Sequence, residues 1–122
     1  MGSSSVTFKA HIAMRVQNAY AWVQSALSQN NKVRWAKELK EASKVPVPKE
    51  FEAEYKQLLA EKKTLLKTRV DEKLSHMEMF GKNMAFAAKV FKDDREMLRI
   101  IERASLMHKK YVAELRKAAQ LV

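Results

Sequence analysis

The chain of 122 residues contains no cysteine, which removes disulfides, thiolate nucleophiles and cysteine-based zinc sites together. Its two glycines, Gly2 and Gly81, and two prolines, Pro46 and Pro48, leave few places to turn, so few and long elements are expected. With glycine only at those positions, no Gly-rich phosphate loop can be built. No apolar run approaches the roughly 18 residues of a bilayer-crossing helix, so any membrane contact is expected to be peripheral. Acid is absent before Glu38, while Lys9, Arg15, Lys32 and Arg34 precede it and Ser3, Ser4 and Ser5 open the chain. That composition fits an organellar transit segment, and equally a basic first helix with no address. Met1-Gly2 suggests myristoylation, but the motif needs Ser or Thr at position six, where this chain has Val6.

What is present is charge and aliphatic surface in helical order. The apolar share of 47% is too high for a disordered tail, and the charged share of 31% is too high for a membrane span. The net charge of +10 biases any partner towards anionic surfaces. It is unevenly placed: residues 1–48 carry seven Lys/Arg against two acids, 49–79 seven against seven, and 80–122 ten against five.

Phe8, Ile12, Val16, Ala19, Tyr20, Val23 and Leu27 recur at steps of three and four, a helical stripe that Ser5 or Thr7 can cap. Ser28-Gln29-Asn30-Asn31 favours local backbone bonding over helix, and a short helix with Val33, Trp35 and Leu39 follows. Val45-Pro46-Val47-Pro48 removes two amide donors and ends that helix. Pro48 suits the first turn of the next, where Glu50, Glu52 and Glu54 favour the positive end of the dipole. Phe51 to Met77 then continue unbroken to Gly81, roughly 45 Å of helix, longer than a compact domain requires. Asn83 can cap a further run, which Asp93-Asp94 either restarts or continues. Met97, Ile101, Ala104, His108, Tyr111, Leu115 and Ala118 alternate steps of four and three in the manner of a coiled coil. Lys92, Arg95, Arg99, Arg103, Lys110 and Lys117 fall within about 80° of one another on another face.

The fold expected is all-α: an extended helical hairpin or bundle of long amphipathic helices with a proline-containing hinge. It reads as one helical domain, with N-terminal helices over 1–45, the hinge at 46–48 and long helices over 49–122. Val16, Val23, Leu59, Leu66, Val70, Ile101, Tyr111 and Leu115 are the residues expected in helix packing against partner subunits. Met77, Met79, Met84, Met97 and Met107, beside Phe80, Phe86 and Phe91, suit an adaptable interface or ordinary core filling.

Reactive groups are thin. His11, His76 and His108 lie in separate helical segments, none with a carboxylate three residues before it, the spacing that di-metal bundles use. Glu72 and His76 form one i, i+4 pair of a common surface type. No catalytic residue, metal or cofactor is therefore expected. The basic stripe is read as a candidate contact for a phosphate backbone, cardiolipin or an acidic helix, against a plain solvated face.

The segment Leu39-Lys40-Glu41-Ala42-Ser43-Lys44-Val45-Pro46-Val47-Pro48-Lys49-Glu50 resembles the middle of subunit d of the mitochondrial ATP synthase peripheral stalk. That family has a similar Lys-Val-Pro-Val-Pro-acidic segment, preceded by a Trp-containing short helix and followed by a long charged one. Trp35 and the helix from Phe51 match that order, and Trp22 resembles the family's early tryptophan. The resemblance covers residues 15–80 and implies a matrix-side peripheral subunit of the inner membrane that braces stalk helices and has no catalytic residue. The chain departs from the family in being shorter and in ending on a basic helix instead of a Pro-rich aromatic tail. Two other readings are open: an RNA-associated helical protein of a ribosome, favoured by the charge of +10 and the basic C-terminal stripe, and a helical accessory subunit of a respiratory complex, which shares every physical feature of the stalk reading.

Overall fold

The computed structural model describes the backbone of residues 2–122 and the side chains from Val6 onwards. It is 88% helical, with no strand among the described residues. Four helices follow in order: α1 (Gly2–Ser28), α2 (Lys32–Ala42), α3 (Lys49–Val90) and α4 (Arg95–Leu121).

α1 begins at Gly2, so Thr7 lies inside the helix instead of capping it, and the Ser5 side chain is outside the described residues. The break after α1 comes where asparagine side chains offer the backbone other partners. Asn30 Oδ1 accepts the Lys32 amide at 3.3 Å, and the Asn31 carbonyl accepts the first bond of α2 from Trp35 at 2.9 Å. α2 ends in tight turns in which the Lys44 and Val45 amides donate to Glu41 and Ala42, and Ser43 Oγ donates to the Lys40 carbonyl. Pro46 then keeps Val45 out of the helical region. The Pro48 carbonyl takes the Phe51 amide at 3.0 Å, placing this proline immediately before the first turn of α3.

Gly81 does not stop the third helix, nor does Asn83 start a new one: α3 runs 42 residues through both. Gly81 has no positive φ, and it lies against the His108 ring, where a Cβ would meet Cε1 and Nε2 at 3.7 Å, an ordinary contact. Gly81→Ala should therefore raise stability by about 0.5–1 kcal/mol, since a helical glycine costs entropy that alanine does not. Chemical denaturation would show it as a higher midpoint at unchanged slope, and a lower midpoint would mean that a methyl group does not fit against His108. The restart comes at Asp94, whose Oδ1 accepts the Met97 amide at 3.1 Å and whose carbonyl accepts Leu98, an N-cap that separates α3 from α4.

The chain packs as two compact units, with α3 and α4 contributing to both. The first contains α1 and His76–Tyr111. Its core is Val16 and Val23 of α1 with Met77, Phe80, Met84, Ala87, Phe91, Met97, Ile101, Ala104 and Tyr111. Rings set its contacts: Trp22 meets Tyr111 edge-on at 6.4 Å, Phe8 meets Phe86 at 6.3 Å, and His108 stacks on Phe80 at 5.1 Å. His108 Nε2 lies 2.6 Å from the Met77 carbonyl, so it carries the proton and donates.

The second unit contains Asn30–Ser75 and Val112–Val122. Its buried set is smaller: Ala36 and Leu39 of α2, Leu66 and Val70 of α3, Leu115 and Ala118 of α4. Tyr55 ties α3 to the end of α2 by donating to the Ala42 carbonyl at 2.8 Å.

Candidate functional site

Seven of the eight residues expected at a partner interface are covered by the chain itself. Val16, Val23, Ile101 and Tyr111 lie in the core of the first unit, and Leu66, Val70 and Leu115 in that of the second, all at 5% exposure or less. Leu59 is half-buried. The helix packing they enter is intramolecular, because one chain already supplies three helical segments to each core. Of the eight, Leu59 alone remains partly open on the surface.

On α3 two apolar series run side by side. Leu66, Val70, Met77, Phe80, Met84 and Ala87 follow steps of three and four, with half-buried Leu74 between Val70 and Met77, into the cores. Phe51, Leu58 and Leu65 follow steps of seven and stand 54%, 48% and 46% exposed. Adjacent residues on a helix point about 100° apart, so Leu65 and Leu66 cannot share a face. In the second unit, Leu58 and Leu65 form one wall of an open groove of ≈ 440 Å³. Trp35, Leu39 and Ala42 of α2 form the other wall, and Glu38 and Lys62 stand at the rim. A second hollow, ≈ 480 Å³, lies between the Val45-Pro46-Val47 linker and Tyr55, Leu59 and Ala60. In the first unit Met79 is 56% exposed, while the half-exposed Phe86 leans on Phe8. The methionine cluster thus divides: Met77, Met84 and Met97 are core, and Met79 faces out.

The basic stripe is altered at one position. Lys92 sits in the turn before α4, because Asp94 restarts the helix there. Arg95, Arg99, Arg103 and Lys110 of the first unit and Lys117 of the second stand exposed on α4. Among the described residues the two ion pairs are Arg34–Glu38 at 3.7 Å and Lys44–Glu41 at 3.6 Å, both on α2 or its end, so these five cations have no carboxylate partner.

A further cationic group leaves no trace in the sequence pattern. Burial pushes the Lys32 ammonium below its ordinary value, and the like charges of Lys73 and then Arg69 push it the same way. The charged form is thus disfavoured in the fold. The resulting loss of stability is present at neutral pH and relieved as pH rises through the depressed folded value. Lys32→Gln should therefore raise the melting temperature at pH 7, with the gap to the parent narrowing as pH approaches 10. A variant that melts below the parent would contradict the repulsion. Burial likewise raises the Tyr111 phenol above its ordinary value, so its contribution is lost on the alkaline side.

Glu72 and His76 are both exposed, and His11 is exposed on α1. Among the described residues no three His, Asp or Glu side chains gather in a metal-binding group. Among the same residues no helix is long and apolar enough to cross a membrane. Comparison with models of known protein families, with curated proteins and with solved structures finds no match to this chain.

Proposed function

We propose that this chain is a structural, non-catalytic subunit of a large helical assembly, and that the assembly is the peripheral stalk of mitochondrial ATP synthase. There it braces stalk helices between the catalytic head and the membrane sector, on the matrix side of the inner membrane. The observation that carries the reading is the seven-residue series Phe51, Leu58 and Leu65, about half exposed beside an open apolar groove. A line of this kind in water stabilises nothing, and a second helix laid along it gains hydrophobic area at every second turn. The assignment to the stalk is supported by the Leu39–Glu50 resemblance, which spans the end of α2, the proline linker and the start of α3.

One observation favours a second reading. The unpaired cations of α4 suit an RNA phosphate backbone, as a ribosome-associated helical protein would require. Purifying the tagged chain from mitochondria in mild detergent, with mass spectrometry of what accompanies it, separates the two. Stoichiometric ATP synthase subunits support the stalk. Respiratory-complex subunits would move the brace to another assembly, and ribosomal proteins with RNA would replace it.

A further inference from the structure

We infer that the outward face of α4 in the first unit is a docking surface for one amphipathic helix of another polypeptide, with acidic residues flanking its apolar line. The inference rests on the scaffold reading and names the chemistry of one partner.

Arg99 and Leu106 lie seven residues apart on α4, and Leu106 is 54% exposed. At about 3.5 residues per turn, positions three and four residues on flank such a line by roughly 50° on either side. Arg103 and Lys110 form one flank, while Arg95 and Lys109 lie on the other. Glu96 and Glu102 are the acids on these flanks, so four flanking cations, with Arg99 on the central line as a fifth, face two carboxylates. Neither sign is used internally, since no ion pair among the described residues involves α4. The surface therefore has one exposed leucine at its centre, on the same line as Arg99, and flanks of excess positive charge, which acidic flanks on a second helix complement.

Leu106 decides between partner classes. An apolar side chain between Arg103 and Lys110 adds nothing to phosphate contacts, which are polar and charged. A packed helix needs such a knob. A lipid surface is disfavoured because Met97, Ile101, Ala104 and Tyr111, the apolar face of α4, are buried in the unit's own core and cannot enter a bilayer.

The test uses the full chain and a labelled synthetic helix of four heptads with leucine on its central line and glutamate on both flanks, read by fluorescence anisotropy. Saturable binding is expected, with Leu106→Gln and the pair R103E/K110E each weakening it at least tenfold. The charge-matched pair K37E/K67E, on α2 and α3, should leave it within twofold. Circular dichroism should report an unchanged fold in each variant, since all the substituted residues are exposed. Absence of peptide binding would overturn the inference. So would a Leu106→Gln variant that binds like the parent while R103E/K110E does not, or tighter binding of polyuridylate or anionic vesicles that ignores Leu106. Failure of this test leaves the α3 line, and with it the scaffold reading, to be judged separately by co-purification.

Discussion

Leu66→Asp is expected to unfold the unit built from α2, Asn30–Ser75 and Val112–Val122, and Leu65→Asp, one residue away, to leave it folded. Leu66 is fully buried in a set otherwise made of Ala36, Leu39, Val70, Leu115 and Ala118. Removing a buried leucine side chain alone costs about 2–5 kcal/mol. An aspartate there adds an uncompensated buried carboxylate, or the cost of protonating it. The whole chain is expected to be stable by only about 0.05–0.15 kcal/mol per residue, and a core this small contributes a fraction of that. Leu65 is 46% exposed, so a carboxylate at that position stays in water and the loss is within about 1 kcal/mol. Hydrogen exchange would resolve the contrast: in Leu66→Asp the amides of α2 should lose protection, and in Leu65→Asp they should keep it. Ile101→Asp should act on the first unit as Leu66→Asp acts on the second, since Ile101 is 5% exposed among Met97, Ala104 and Tyr111. Equal protection in both leucine variants would mean that the two apolar series on α3 have been assigned to the wrong faces.

The helices were legible in the sequence because their signals are local. Two asparagines ended α1, two prolines separated α2 from α3, and steps of three and four marked the buried line of α4. Gly81 was misleading for a physical reason: glycine weakens a helix by only about 1 kcal/mol, and burial of Met77, Phe80 and Met84 on either side of it outweighs that. Asp94 was ambiguous because an aspartate in a polar stretch is both an N-cap and a tolerable helical residue, and only the bond to the Met97 amide decides. What periodicity could not supply was the owner of each stripe. Val23 or Leu115 looks the same in sequence whether it meets another chain or a later helix of its own, and in this fold its own chain covers it. The outward line was nonetheless detectable, because Leu58-Leu59 and Leu65-Leu66 place apolar residues on two faces of one helix at once. Doubling of this kind signals a second packing surface. The Lys32, Lys73 and Arg69 group had no such signal, because it joins the start of α2 to residues some forty positions later.

Replacing Leu58 and Leu65 together by aspartate should abolish incorporation into the proposed assembly while the isolated chain stays folded, its melting temperature lowered by several degrees. Both side chains are close to half exposed, so a partner helix covers only the remaining half of each. Full burial of a leucine contributes about 1.5–3 kcal/mol, which leaves roughly 1 kcal/mol apiece for the interface. Two such losses, with two carboxylates forced against an apolar line, amount to at least about 3 kcal/mol, or a hundredfold in affinity. Co-purification from cells carrying L58D/L65D should therefore recover partners at about a hundredth of the parental yield. L58M/L65M keeps the volume and the apolar character, and should restore it. Phe51→Ala, at the exposed start of the same line, should produce a smaller loss of about tenfold, because a helix end contributes less than its middle. If L58D/L65D assembled normally, the groove between α2 and α3 would be solvent surface, and the exposed leucines would need another explanation. If instead the variant lost its partners through unfolding, its helical circular dichroism would be lost with them, against the retained fold expected of two half-exposed positions.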